Sequence, residues 1–213
     1  MQNLNIGLNL DLKSGHPILE FTNTVSNHAS EHPGETLFDY TDLISWMKRV
    51  GLLEEEQANG LARKGVAQPD ASMAVFAKSL ELRESIYRIF VAETKGKSPA
   101  ESDLALLNSV LAQLTSGAQI GQASGRFVWQ WNFDENAFEA PLSILALSAV
   151  ELLTSENVKW VGQCADEEGC GWLFVDTSKN HSRRWCDIND CGNRAKQRRY
   201  QQRARGQKNL NLD

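Results

Sequence analysis

The chain has 213 residues, 41% hydrophobic and 23% charged, and carries a net charge of −5. That suffices for one real core plus a small second module. Residues 1–15 have no basic segment followed by a long apolar run, and the mostly apolar stretch Ala140–Leu153 is broken by Pro141, Ser143, Ser148 and Glu151; neither a secretory signal nor a membrane span is expected, and a cytoplasmic protein is.

Helices dominate the first half. His16-Pro17 precedes Ile18, Leu19, Phe21 and Val25, which suits a short buried helix with Pro17 in its first turn. Residues 31–35 form a loop around Pro33-Gly34. Thr41 is the expected cap of a helix carrying Leu43, Ile44, Trp46, Met47 and Val50, closed by Gly51. Residues 54–64 make another helix, ended by Gly65. A longer one opens at Pro69-Asp70 and runs to Lys95-Gly96. Ser98 then caps a helix with Pro99 in its first turn.

The texture changes at 117–125. Arg126-Phe-Val-Trp-Gln-Trp-Asn-Phe133 is rich in aromatic and alternating residues and reads as a strand, with 119–122 as its hairpin partner. Residues 141–154 return to helix, and 158–163 form a short strand leading to the first cysteine.

All four cysteines lie in the last quarter, as Cys164-x5-Cys170, a 15-residue spacer, and Cys186-x4-Cys191. Two close pairs joined by a short spacer suit a tetrahedral zinc site, with a hairpin in the spacer bringing the pairs together. In a chain read as cytosolic, clustered cysteines bind metal more often than they form disulfides. Zinc is preferred to iron–sulfur because nothing else in the chain argues for redox work. Residues 171–176 read as a strand, and a helix begins near Cys191. Knuckle, hairpin and ligand-bearing helix describe a treble-clef type of zinc module with Trp172, Phe174 and Trp185 as its small core. So little core needs the metal for stability. The fold class is thus α+β: a mainly helical domain with a small β-ribbon over 1–157, and a four-cysteine zinc module over 158–208.

Charge is divided unevenly. Residues 1–177 hold 12 basic and 24 acidic residues, whereas 178–208 hold 10 basic and 2 acidic. The helix after Cys191 carries Arg194, Lys196, Arg198, Arg199, Arg203 and Arg205 with no acidic residue for i,i+4 pairing, and only Ala195, Tyr200 and Ala204 are apolar. Phosphates would supply the missing counter-charge, so double-stranded DNA is the expected partner. Lys179, Arg183 and Arg184 would add backbone contacts, and Asn193, Arg194 and Gln197 would face base edges. The alternatives are a solvated tail, a tail docked on the acidic N-terminal domain of its own or a partner chain, or a zinc-stabilised module that binds RNA or an acidic protein surface.

Cys191-Gly192-Asn193-Arg194, with the three earlier cysteines, Trp172 and Trp185, closely resembles the CGNR zinc finger. The preceding part is similar to the ABATE domain of stress-induced transcription regulators of bacteria. Its matching pieces are Leu19-Glu-Phe-Thr-Asn-Thr-Val25, Asp42-Leu-Ile-Ser-Trp46 running to Gly51-Leu-Leu53, Leu82-Arg-Glu84 and Leu107-Asn108. The resemblance implies one structural Zn2+ on the four cysteines, DNA binding by the C-terminal module, and an N-terminal domain that senses a small molecule.

Three further readings complete the inventory. Asn23, Thr24 and Arg83 are polar residues among apolar neighbours, so they either line a ligand pocket or make internal bonds that fix helix packing. His28-x-x-Glu31-His32 matches a zinc-peptidase pattern, but Pro33 disfavours helix at His32, and a loop is the simpler reading. No catalytic set stands out, so the chain is not expected to be an enzyme. Homodimerisation would help a single reading helix gain specificity.

Overall fold

The computed structural model describes residues 12–115, 118–123, 125–131, 137–166 and 169–210. Seven α-helices and three two-stranded antiparallel ribbons occur among them. No helix there is long and apolar enough to cross a membrane.

Helix α1 (Pro17–Thr22) is short and central: Ile18, Leu19 and Phe21 are completely buried. His16 caps it, Nδ1 accepting from Ile18 N at 3.3 Å. Helix α4 (Pro69–Thr94) crosses α1 and buries Leu82, Ile86, Ile89 and Phe90. Helix α6 (Ala140–Leu153) is apolar on nearly every side and is buried accordingly from Ala140 to Ala146. Helices α2 (Tyr40–Arg49), α3 (Glu55–Ala67) and α5 (Glu101–Thr115) surround this centre. Strands β3 (Ala118–Ala123) and β4 (Arg126–Trp131) form the expected hairpin, pairing Ala118 with Trp131 and Ala123 with Arg126.

Several local expectations are corrected. Asp39, not Thr41, caps α2: its carboxylate accepts from Asp42 N (2.8 Å) while Asp42 accepts from Phe38 N (2.9 Å), a reciprocal arrangement Thr41 cannot make. Gly65 lies inside α3 and does not end it. The Tyr40 ring fills the space a side chain would need there, 2.7 Å from an added Cβ, and the helix stops before Gln68, the residue restricted by Pro69. Helix α5 starts at Glu101, later than the Ser98-Pro99 signal, where Asp103 is held by Arg88 and Ser85. Residues Glu156–Trp160 form a 3-10 turn, so the strand that follows begins only at Val161. The loop around Pro33-Gly34 contains a minimal ribbon of β1 (Val25–Ser26) and β2 (Gly34–Glu35).

Strands β5 (Val161–Gln163) and β6 (Leu173–Val175) pair as a hairpin. It encloses the first cysteine pair, with only β6, the expected strand after Cys170, in the spacer, so the hairpin expected within the spacer is corrected. Val161, Leu173 and Val175 belong to the main core, packed with the helices. Asn23 fastens the hairpin to α1 through both amide atoms: Nδ2 donates to Leu173 O (2.8 Å) and Oδ1 accepts from Leu173 N (2.9 Å).

Candidate metal centre and nucleic-acid interface

Cys164 follows β5, and its N–H donates to Trp172 O (2.8 Å), closing the first knuckle. Cys170 precedes Gly171, whose φ of +66° and tight approach to Ala29, with an added Cβ only 2.8 Å from Ala29 N, admit glycine alone. The helical domain grips this knuckle from outside. His28 N donates to Cys170 O (3.0 Å), Tyr87 Oη donates to Gly171 O (3.0 Å), and Trp172 Nε1 donates to Val25 O (2.8 Å).

Cys186 arrives on the spacer. Asp176 shapes the turn before it, accepting from Ser178 N and Arg183 N at 2.8 Å each. Cys191 sits in a π-type turn (Ile188–Gly192) that leads directly into helix α7 (Asn193–Leu210).

The four sulfurs lie within 4.8 Å of one another, and all four residues are buried. The resolved contacts are 3.4 Å for Cys170–Cys186 and 3.6 Å for Cys186–Cys191. A tetrahedron of ~2.3 Å Zn–S bonds has edges of about 3.8 Å, so the cage fits zinc. The sulfurs are too far apart for disulfides, and all four cysteines are free. Their ionisation is in conflict without a cation: hydrogen bonds from Cys170 and Cys186 hold the Cys164 thiol well below its usual range, whereas bonding to Cys164 and Cys170, then burial, pushes Cys186 up. A bound dication accommodates all four as thiolates. Cys164, Cys170, Cys186 and Cys191 are thus positioned to hold one structural zinc. Phe174 belongs to the same cluster, with Trp172 and Trp185 packed on it.

The basic residues divide into two groups. Arg183 is internal: its guanidinium lies over the Phe174 ring (4.4 Å), and it donates to the carbonyl oxygens of Trp185 (2.9 Å) and Cys186. Arg194 donates to Cys191 Sγ (2.9 Å), lies 3.5 Å from Asp190 and 3.6 Å from Asp166. Arg198 donates to Asp166 at 2.6 Å. Acidic partners for the helix therefore exist, contrary to the expectation; they come from the preceding turn and the first knuckle. Lys179, Arg184, Asn193, Lys196, Gln197 and Arg199 are exposed. Asn193 bonds Asn189 O, and Arg184 lies over the Trp185 ring. Arg203 and Arg205 lie outside the described side chains.

Asn23, Thr24 and Arg83 are all bonded internally. Arg83 reaches both Glu35 oxygens (2.9 and 2.6 Å), Thr24 Oγ1 (2.9 Å) and Glu84 (3.1 Å), and Thr24 donates to Phe21 O (2.7 Å). The internal-bond reading of these residues describes their geometry. His28 stacks on Tyr87 and pairs with Glu84 Oε2 at 2.9 Å, while Glu31 and His32 are exposed in a loop. The histidines do not converge, and the four cysteines are the one metal-ligating cluster among the described residues. Sequence reasoning missed Asp166, whose only signal is the acidic run Asp166-Glu167-Glu168 that starts two residues after a ligand.

Fold and centre together define a zinc-finger protein whose finger is built onto a helical domain. The family model described as "Putative stress-induced transcription regulator", ABATE, matches residues 15–156, and that of the CGNR zinc finger matches 161–204. The chain belongs to the ABATE family and carries a CGNR zinc finger. No curated protein matches it.

Proposed function

We propose that the chain is a DNA-binding transcription regulator, not an enzyme, and that α7 lies against duplex DNA. The observation that carries this reading is the outer face of α7. Lys196, Gln197, Arg199 and Tyr200 are exposed, and none has a partner among the described residues. Ala195 is buried and Arg198 turns inward to Asp166, and the zinc ligand Cys191 anchors the helix at its start. A cationic helix held rigidly at one end, with its free cations outward, is suited to phosphates. Arg194 and Arg198 serve the fold in this reading, and Arg184 and Lys179 extend the contact.

The helical domain acts as the platform that holds the finger. Asn23, Thr24 and Arg83 are not proposed as its ligand site, because each is satisfied internally. A lone helix reads few base pairs, so we place two chains on neighbouring half-sites.

Salt titration of duplex affinity tests the reading. Zinc-loaded protein should lose affinity log-linearly as salt rises, and Lys196→Ala/Arg199→Ala should flatten the slope by about 1.8, from two phosphate contacts at ~0.9 each. Failure of the zinc-loaded chain to bind any duplex at low salt would sink it; a preference for single-stranded RNA would redirect it.

A further inference from the structure

A cavity of about 340 Å³ separates the finger from the helical domain. Lys13, Ser26 and Asn27 form one side of it; Cys170, Cys186 and Arg194 stand on the other. Cys191 also borders it, whereas Cys164 lies outside its lining. The cysteines are nearly closed to bulk solvent, with Cys170 and Cys186 only 4% and 7% exposed. Any reagent must therefore be small enough to occupy this space. Water needs roughly 30 Å³, and a hydroperoxide such as hydrogen peroxide is only modestly larger.

We propose that Cys170 and Cys186 are an oxidative modification site for small hydroperoxides admitted through this cavity. Three observations converge. Their sulfurs are in contact at 3.4 Å, and from the roughly 3.8 Å edge of a zinc tetrahedron an approach of about 1.8 Å brings them to disulfide length. Both border the cavity. Arg194 lines the same cavity, with Asp187 and Asp190, and it is hydrogen-bonded to the third bordering sulfur, Cys191, at 2.9 Å. That bond draws on the Cys191 electron pair and leaves the other two as the stronger nucleophiles.

The chemistry balances on these two side chains and one peroxide. One thiolate attacks a peroxide oxygen; the S–O bond forms, the O–O bond breaks, and hydroxide leaves and is protonated to water. The other thiolate attacks the resulting sulfenic acid; the S–S bond forms, the S–O bond breaks, and a second hydroxide leaves as water. Two electrons pass from sulfur to peroxide. Two of the four thiolate donors are then gone, too few to retain a structural zinc, and α7 loses its anchor. This inference does not depend on what α7 binds.

The test uses the zinc-loaded full chain and hydrogen peroxide. Zinc release is followed with a chromogenic chelator, and the first disulfide is located by alkylation and peptide mass spectrometry. The expected result is stoichiometric zinc release with a Cys170–Cys186 disulfide, while Cys164 and Cys191 still take the alkylating reagent. Lys13 borders the cavity but its side chain is 74% exposed, so replacing it should leave the fold intact. Lys13→Trp, which fills the entrance, should slow release about fivefold or more, whereas Lys13→Ala should not slow it. Both should bind zinc as tightly as wild type in a competition titration. Zinc retained through about ten equivalents of peroxide, or a first disulfide containing Cys164, overturns the proposal. So does wild-type release from Lys13→Trp, since attack would then follow local opening instead of entry through the cavity.

Discussion

His16 shows how one residue ties a helix start to pH. Its Nδ1 caps α1 only as an acceptor, so the proton of the neutral ring must sit on Nε2. Burial lowers its pKa from 6.5 to about 4. Between those values the unfolded chain binds more protons than the folded one, so this residue's contribution is complete above pH 6.5 and is lost as pH falls toward 4. The substitution His16→Asn would keep a capping oxygen and remove the titration. In urea unfolding of zinc-loaded protein between pH 7 and 5, wild type should lose about 1–2 kcal/mol more than this variant. Parallel stability curves for the two proteins would show that the ring is solvated enough to titrate normally.

At the scale of elements, the grip on α7 is the decisive feature. Apart from the Cys191 turn and the burial of Ala195, the helix is held by Asp166, whose side chain is 3% exposed while Arg198 and Arg194 are 42% and 45% exposed. That asymmetry fixes the direction of the mutational effect. Arg198→Ala leaves a buried carboxylate with only the longer contact to Arg194, and should cost about 2–3 kcal/mol. Asp166→Asn removes the charge that needs compensation and leaves two half-exposed arginines, so it should cost only about 1 kcal/mol. Chemical denaturation of the zinc-loaded variants distinguishes the two; equal losses would mean the pair is no more than a surface contact. The freed arginines should also make the salt dependence of DNA binding steeper in Asp166→Asn, the opposite of the effect expected for Lys196→Ala/Arg199→Ala.

The same elements show what was legible in the chain. Cysteine spacing exposed the metal cage because ligand chemistry is local and its residue type is scarce. The aromatic alternation of 126–131 exposed β4, and the long apolar periodicity exposed α4. Helix starts were less legible where two capping signals compete, as Asp39 does with Thr41, and the choice is made by a reciprocal bond that composition does not reveal. Gly65 reads as a stop until the Tyr40 ring occupies its missing side chain. Asp166 was invisible because its arginine partner lies 32 residues away.

At the scale of the whole molecule, the acidic body and the basic finger are not two beads on a string. Leu173 and Val175 are core residues of the helical domain yet lie on the strand that begins three residues after the zinc ligand Cys170. The Asn23 clamp spans 150 residues of sequence, and the contact from Trp172 to Val25 spans 147. A small module stabilised by metal would unravel alone on chelation. Here the unravelling should travel into the domain along these bonds, and stop where they stop. Hydrogen exchange before and after chelation measures this directly. Protection should fall in α7, across 161–176 and at 23–29, whose amides at 28 and 29 bond the carbonyls of Cys170 and Gly169. It should persist in α2 and α3, which pack on each other and on α4 without touching the finger's ribbon in any extensive way. If 23–29 kept full protection after the metal was removed, the finger and the helical domain would be energetically separate, and the charge division of the chain would be only a division of labour between independent parts.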